Sequence, residues 1–267
     1  MGLFERKTAW EKEWATLKKQ EARFLKKHMQ KKASRLNQQL EGKVPDKLQD
    51  TLDAVFAKAF EAVFQKGTGV IEKTCHREKR QKNYQVREFA VDVQEDRRTL
   101  RAFSRNAQGT GNVNLLVSGI SGVGLGILGI GIPDIVLFTG MMMKGIYEIA
   151  LSYGYDYETE EERYFILLLL QGSVSYGRQV EAVNLEADVF IREEKLPERY
   201  DQKEQIQKTA ALFSKELLYL KFLQGIPIVG AVGGIYDAVY MKRVTEYANL
   251  KYKRRFLKGR KGVCRNE

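Results

Sequence analysis

The chain has 267 residues, room for one large domain or two small ones, and 43% hydrophobic with 30% charged residues is a globular composition that excludes global disorder and a polytopic membrane protein. Two cysteines, Cys75 and Cys264, exclude a disulfide scaffold and fit a reducing compartment, while two histidines, His28 and His76, leave little material for zinc sites or imidazole chemistry. The net charge of +11 sits at the ends: residues 1–35 carry eleven Lys/Arg against four Glu and residues 242–267 ten against two, so the termini hold +7 and +8 and the middle −4.

The first segment is more than a charge run. Trp10, Trp14, Leu17, Phe24, Leu25, Met29, Leu36 and Leu40 recur at three- and four-residue steps, which predicts a helix from about Glu5 to Gln39 with an apolar stripe, interrupted by Glu21, and cations such as Lys18 and Lys26 on the other face. Both tryptophans lie one turn apart on that stripe. Indole favours the membrane headgroup boundary, so the pattern fits an in-plane interfacial helix, and it also fits the more common arrangement, an amphipathic helix lying on the protein's own core. The start Met1-Gly2 gives no myristoylation signal, because position 6 is Arg6.

Pro45 and Asp46 open a second helix, with Leu48, Leu52, Val55, Phe56, Ala59, Val63 and Phe64 on one face and Gly67 at its end. From Thr68 to Arg105 the pattern is charged and predicts helix with a break near Cys75 to Lys82, burying Tyr84, Phe89, Val93, Leu100 and Phe103. Cys75 and His76 are adjacent, which puts them on different helix faces and makes them a poor metal pair.

Asn106 to Pro133 is 28 residues without a charge and holds eight glycines between Gly109 and Gly131. Each glycine costs a solvated helix about 1 kcal/mol relative to alanine, so this density fits a segment where backbones approach closely or one that is not helical. Ser118, Gly122 and Gly126 supply a small-residue stripe for such an approach, and a buried central helix is the expectation rather than a membrane span, because no second comparable span completes a hairpin.

Pro133 starts a helix through about Tyr153, with Ile135, Phe138, Met142, Ile146, Ile149 and Ala150 inward and Gly154 as its stop. Thr159 to Glu162 fits a capping box ahead of Phe165 to Leu170, an apolar run expected to be buried on every side. Val180 to Lys195 and Gln202 to Gln224 are further helices around Pro197. Gly225-Ile226-Pro227 then repeats Gly131-Ile132-Pro133 and precedes a last helix from Gly234 to Lys258. No alternating strand pattern appears. The fold class is all-α: a multi-helix bundle with two Gly-rich apolar central helices and a long N-terminal amphipathic helix.

Chemical motifs fail on context. Gly124-Leu125-Gly126-Ile127-Leu128-Gly129 matches the dinucleotide fingerprint, but Pro133 follows within four residues and no strand precedes it. Leu125 stands where a phosphate loop needs lysine, and Gly119 to Val123 lacks the second glycine of a nucleophile elbow. The acidic residues Asp134, Asp156 and Glu162 are the remaining catalytic candidates, and Asp237 needs a buried partner. No cofactor and no metal are expected. The basic ends lack a recognition helix or stacking motif, so nucleic acid would be held only by nonspecific phosphate attraction.

The residues Gly131-Ile132-Pro133-Asp134, with Ile149 to Asp156, and the second set Ile226 to Ala231 with Gly234, Met241, Ala248 and the basic run Lys253 to Leu257, resemble the hallmark of the EcsC protein family over roughly Phe89 to Leu257. The resemblance implies a cytoplasmic protein working at the inner face of the cell membrane beside a membrane-embedded partner such as an ABC-type exporter. It divides the chain into a basic amphipathic segment, 1–66, and an EcsC-like helical domain, 67–267. The expected function is peripheral association with anionic lipid or with such a partner through Trp10, Trp14, Lys18, Lys26, Lys253, Arg254 and Arg255. The alternative is a carboxylate-based hydrolase near Asp134.

Overall fold

A computed structural model describes residues 7–29, 46–66, 76–108, 133–223 and 235–263. Among them the chain forms nine helices and no strand: α1 Ala9–Met29, α2 Asp46–Lys66, α3 Arg77–Val93, α4 Arg97–Gln108, α5 Pro133–Ser152, α6 Glu160–Val174, α7 Arg178–Glu193, α8 Gln202–Leu223 and α9 Ile235–Val263. The all-α expectation holds. The glycine-rich stretches before Pro133 and Ile235, both cysteines and the part of the first helix beyond Met29 lie outside the described residues.

The core is built on α5, α6 and α9. α9 packs along α5 and α6, α2 packs on α5 and α8, α8 and α7 pack on α6, and α3 and α4 pack on α5. α6 is buried all round because Phe165 to Leu170 has no polar side: each of the six is fully buried. Its start is fixed by Thr159, whose hydroxyl accepts the Glu162 backbone N–H at 3.2 Å, as the capping-box spacing predicts. The six positions predicted to face inward on α5 are all buried. Gly154 ends that turn with φ +84°, and a Cβ there would meet the Tyr84 ring at 2.5 Å, so both the backbone and the packing require glycine.

Of the break predicted near Cys75 to Lys82, Cys75 lies outside the described residues, His76 is a left-handed turn with φ +48° and α3 runs unbroken from Arg77; a further break, not predicted, falls at Gln94 to Asp96. Asp96 and Thr99 cap α4 reciprocally: the carboxylate accepts the Thr99 N–H at 2.7 Å and the Thr99 hydroxyl accepts the Asp96 N–H at 3.2 Å. The register of α3 also differs from the expectation. Tyr84 and Val91 turn inward, Tyr84 meeting Phe103 edge-on at 5.7 Å, so Phe89 and Val93 are turned out and are each 69% exposed.

The helices before residue 67 pack on the rest of the chain. α2 shares the core with α5 and α8, and α1 lies on α9, α4 and α7. No described helix is long and apolar enough to cross a membrane.

Candidate functional site

α1 runs antiparallel to the C-terminal half of α9, which brings the two basic segments together: Trp10 reaches Leu257, Glu13 reaches Lys253 and Phe24 stacks on Tyr247 at 4.9 Å. The inward face of α1 holds Leu17 and Phe24, and also Glu13, Glu21 and His28, all buried. Two carboxylates in a packed interface require cations, and α9 and α4 supply them. Glu13 accepts hydrogen bonds of 3.0 Å from Lys253 Nζ, Arg97 Nε and Arg101 Nε. Burial pushes the Glu13 carboxyl up, but the bonds from Lys253, Arg97 and Arg101 outweigh it and hold it below the ordinary carboxylate value. Glu21 takes a two-pronged contact from Arg254, with Nε at 2.7 Å, and Lys251 Nζ lies 3.7 Å away. Lys251, fully buried, donates to Asp188 at 2.6 Å; burial pulls its ammonium below the ordinary value against the pull of Asp188 and Glu21.

The expected contact residues therefore separate into two groups. Lys253 and Arg255 are turned into the bundle and Arg254 lies half-buried over the Trp14 ring at 5.4 Å, so these three cations serve the interior rather than an outer surface. Arg255 pairs with Glu162 at 2.5 Å and Glu194 at 3.1 Å and covers the Tyr155 ring at 3.8 Å. Trp10 and Trp14 stack at 5.1 Å and are half-buried, and the Trp10 indole N–H donates to the Leu257 carbonyl at 2.7 Å. The interior alternative for the apolar stripe is the one that its packing matches.

Lys18 and Lys26, by contrast, are exposed. They stand with Lys12, Lys19, Arg23 and Lys27, also exposed, on the part of α1 turned away from α9, and Glu11 is the one exposed acid of the helix. This sorting follows from the interface. Because Glu13 and Glu21 are taken inward by the cations of α4 and α9, the solvent face of α1 is left with six cations against the single acid Glu11.

Of the carboxylate candidates, Glu162 and Asp156 are held by different partners. Glu162 is buried, accepts from the Tyr252 hydroxyl and is neutralised by Arg255. Asp156 is a half-exposed surface group, paired with Arg77 at 2.8 Å and accepting the Glu158 N–H at 3.1 Å. Asp134 begins α5, and its side chain lies outside the described residues. No group of three metal-binding side chains occurs among the described residues. Two buried networks were missed in the sequence. Glu148 sits between Arg80 at 3.2 Å and Lys144 at 3.6 Å, and Glu216 accepts from Tyr176 at 2.8 Å with Arg243 at 3.5 Å. Only the first left a trace there, the four-residue spacing of Lys144 and Glu148.

The model of the EcsC protein family matches residues 11–257, reaching into α1, well before the hallmark region. No curated protein and no solved structure matches the chain.

Proposed function

The chain belongs to the EcsC protein family, and on that premise we propose that it docks peripherally on an anionic membrane surface through the outward cationic face of α1. One observation carries this: α1 buries Glu13 and Glu21 and leaves Lys12, Lys18, Lys19, Arg23, Lys26 and Lys27 outside. A basic side chain near an anionic leaflet contributes about 1 kcal/mol, so six held on one rigid face make a useful electrostatic anchor. The face is rigid because the ion pairs beneath it fix α1 to α9, and cations that need not be gathered at the moment of binding lose less entropy.

The indoles are engaged with α9, so α1 contributes charge without apolar insertion, and its attraction is screened by salt over about 10 Å at 0.1 M. Docking of this kind would set the chain beside a membrane-embedded partner, such as the exporter that the family resemblance implies.

Co-sedimentation with vesicles tests the proposal. The protein should pellet with mixed phosphatidylglycerol and phosphatidylcholine vesicles at low salt and be released as salt rises. The quadruple variant Lys18→Glu, Lys19→Glu, Lys26→Glu, Lys27→Glu, all at exposed positions, should stay in the supernatant. Equal pelleting of both proteins would reject α1 as the anchor, and a variant that loses duplex DNA but not vesicles would identify the face as a nucleic-acid surface instead.

A further inference from the structure

The described residues include six large hydrophobic side chains that are exposed, and three of them, Val86, Phe89 and Val93, lie on one line of α3 at three- and four-residue steps, each 69% exposed. Scattered exposed hydrophobics need no explanation, whereas half of them aligned on a single helix face do. The line points outward because Tyr84 and Val91 occupy the opposite side, against Phe103 and the core. Lys79 and Lys82, both exposed, continue the same line toward the start of the helix.

We propose that this face of α3 is a lipid-insertion element: Val86, Phe89 and Val93 enter the acyl boundary of an anionic membrane while Lys79 and Lys82 lie at its headgroups. The inference rests on the docking assigned to α1 and names the apolar half of the same contact. α4 packs on both α1 and α3, so the cationic helix and the apolar line are carried by neighbouring elements, and α4 adds exposed Arg98 and Arg105. Of the acids on this segment, Asp92 is paired with Arg260 at 2.7 Å and Glu88 accepts from Tyr84, while exposed Glu78 and Glu95 stand at its two ends. Three side chains are too few for a stable protein interface, which takes about 800 Å² from each partner. They suffice for a shallow in-plane helix, whose burial adds to an electrostatic anchor and is not screened by salt.

An environment-sensitive fluorophore placed at Phe89→Cys, in a chain with Cys75→Ser and Cys264→Ser, reads insertion directly. Adding phosphatidylglycerol-containing vesicles should shift its emission to the blue and expose it to quenchers carried on lipid chains. The variant Val86→Ser, Phe89→Ser, Val93→Ser should lose more than about tenfold in vesicle affinity and all salt-resistant binding, while Leu185→Ser, at an exposed position on α7, should bind unchanged. A probe that stays in water while the unaltered chain pellets with vesicles overturns the insertion and leaves the α1 anchor standing. Failure of the unaltered chain to pellet overturns both. If the triple-serine change abolishes a concentration-dependent dimer seen by sedimentation without vesicles, the face belongs to a second copy and the proposal falls.

Discussion

Glu13 and Lys253 are 240 residues apart in sequence and meet at 3.0 Å inside the protein, Glu13 being 1% exposed. The contact fixes the N-terminal helix to the C-terminal one and sends the acid of α1 inward, and the outer charge of the helix follows from it. Glu13→Ala leaves Lys253 buried without its partner, and losing one member of a buried pair costs about 3 kcal/mol. Urea denaturation of the two proteins checks this. Glu13→Leu combined with Lys253→Met should recover most of the loss, and a cost below about 1 kcal/mol for Glu13→Ala would mean that the pair is idle.

The same carboxylate predicts a pH dependence. Its native value is held below the ordinary 4.5, so the unfolded chain binds the proton more readily and the pair stabilises the fold fully above that value. The stability is lost as pH falls through the lowered native value. Compared with Glu13→Gln, the unaltered protein should keep a constant advantage from roughly pH 5 to 7 and lose it on further acidification. Thermal melts of both proteins from neutral pH down to well below the ordinary carboxylate value are sufficient, and an advantage that persists unchanged in acid would contradict the assignment.

Trp10 should act as a clasp between helices. Trp10→Phe removes the hydrogen bond to the Leu257 carbonyl while keeping most of the stacking on Trp14, for an expected loss of about 1 kcal/mol in urea. Because both indoles face α9, tryptophan emission should move little when anionic vesicles are added. A strong blue shift would show that α1 rolls over to insert its indoles.

At Gly172 the backbone of α6 lies directly against Tyr247 of α9. A Cβ at that position would overlap the ring of Tyr247, which is fully buried against Phe24. Gly172→Ala should destabilise by about 1–3 kcal/mol, and Tyr247→Leu in the same chain should return part of that by making room. Additive losses in the double variant would place the strain elsewhere.

Much of the architecture was legible because it depends on local rules. Thr159 capped α6, Gly154 stopped α5 and the apolar run Phe165 to Leu170 was buried, each on a spacing visible within a dozen residues. The inward faces of α2 and α5 were equally plain. The errors fell where a partner remote in sequence decides. Glu21 looked like a flaw in an apolar stripe because Arg254, 233 residues away, is what makes it fit. Lys253 and Arg255 read as surface charge for the same reason. On α3 the charged background left two competing faces, and Tyr84 packing on Phe103 selected the register that turns Phe89 and Val93 out. The Asp96-to-Thr99 spacing that ends the break before α4 was present in the sequence and was overlooked.

Binding of the full chain to vesicles, compared between anionic and zwitterionic lipid at two ionic strengths, tests the central claim most directly. Tight binding to the phosphatidylglycerol-containing vesicles at low salt, a marked loss at high salt and weak binding to pure phosphatidylcholine are predicted. Equal affinity for both lipids, or no association with either at low salt, would contradict it.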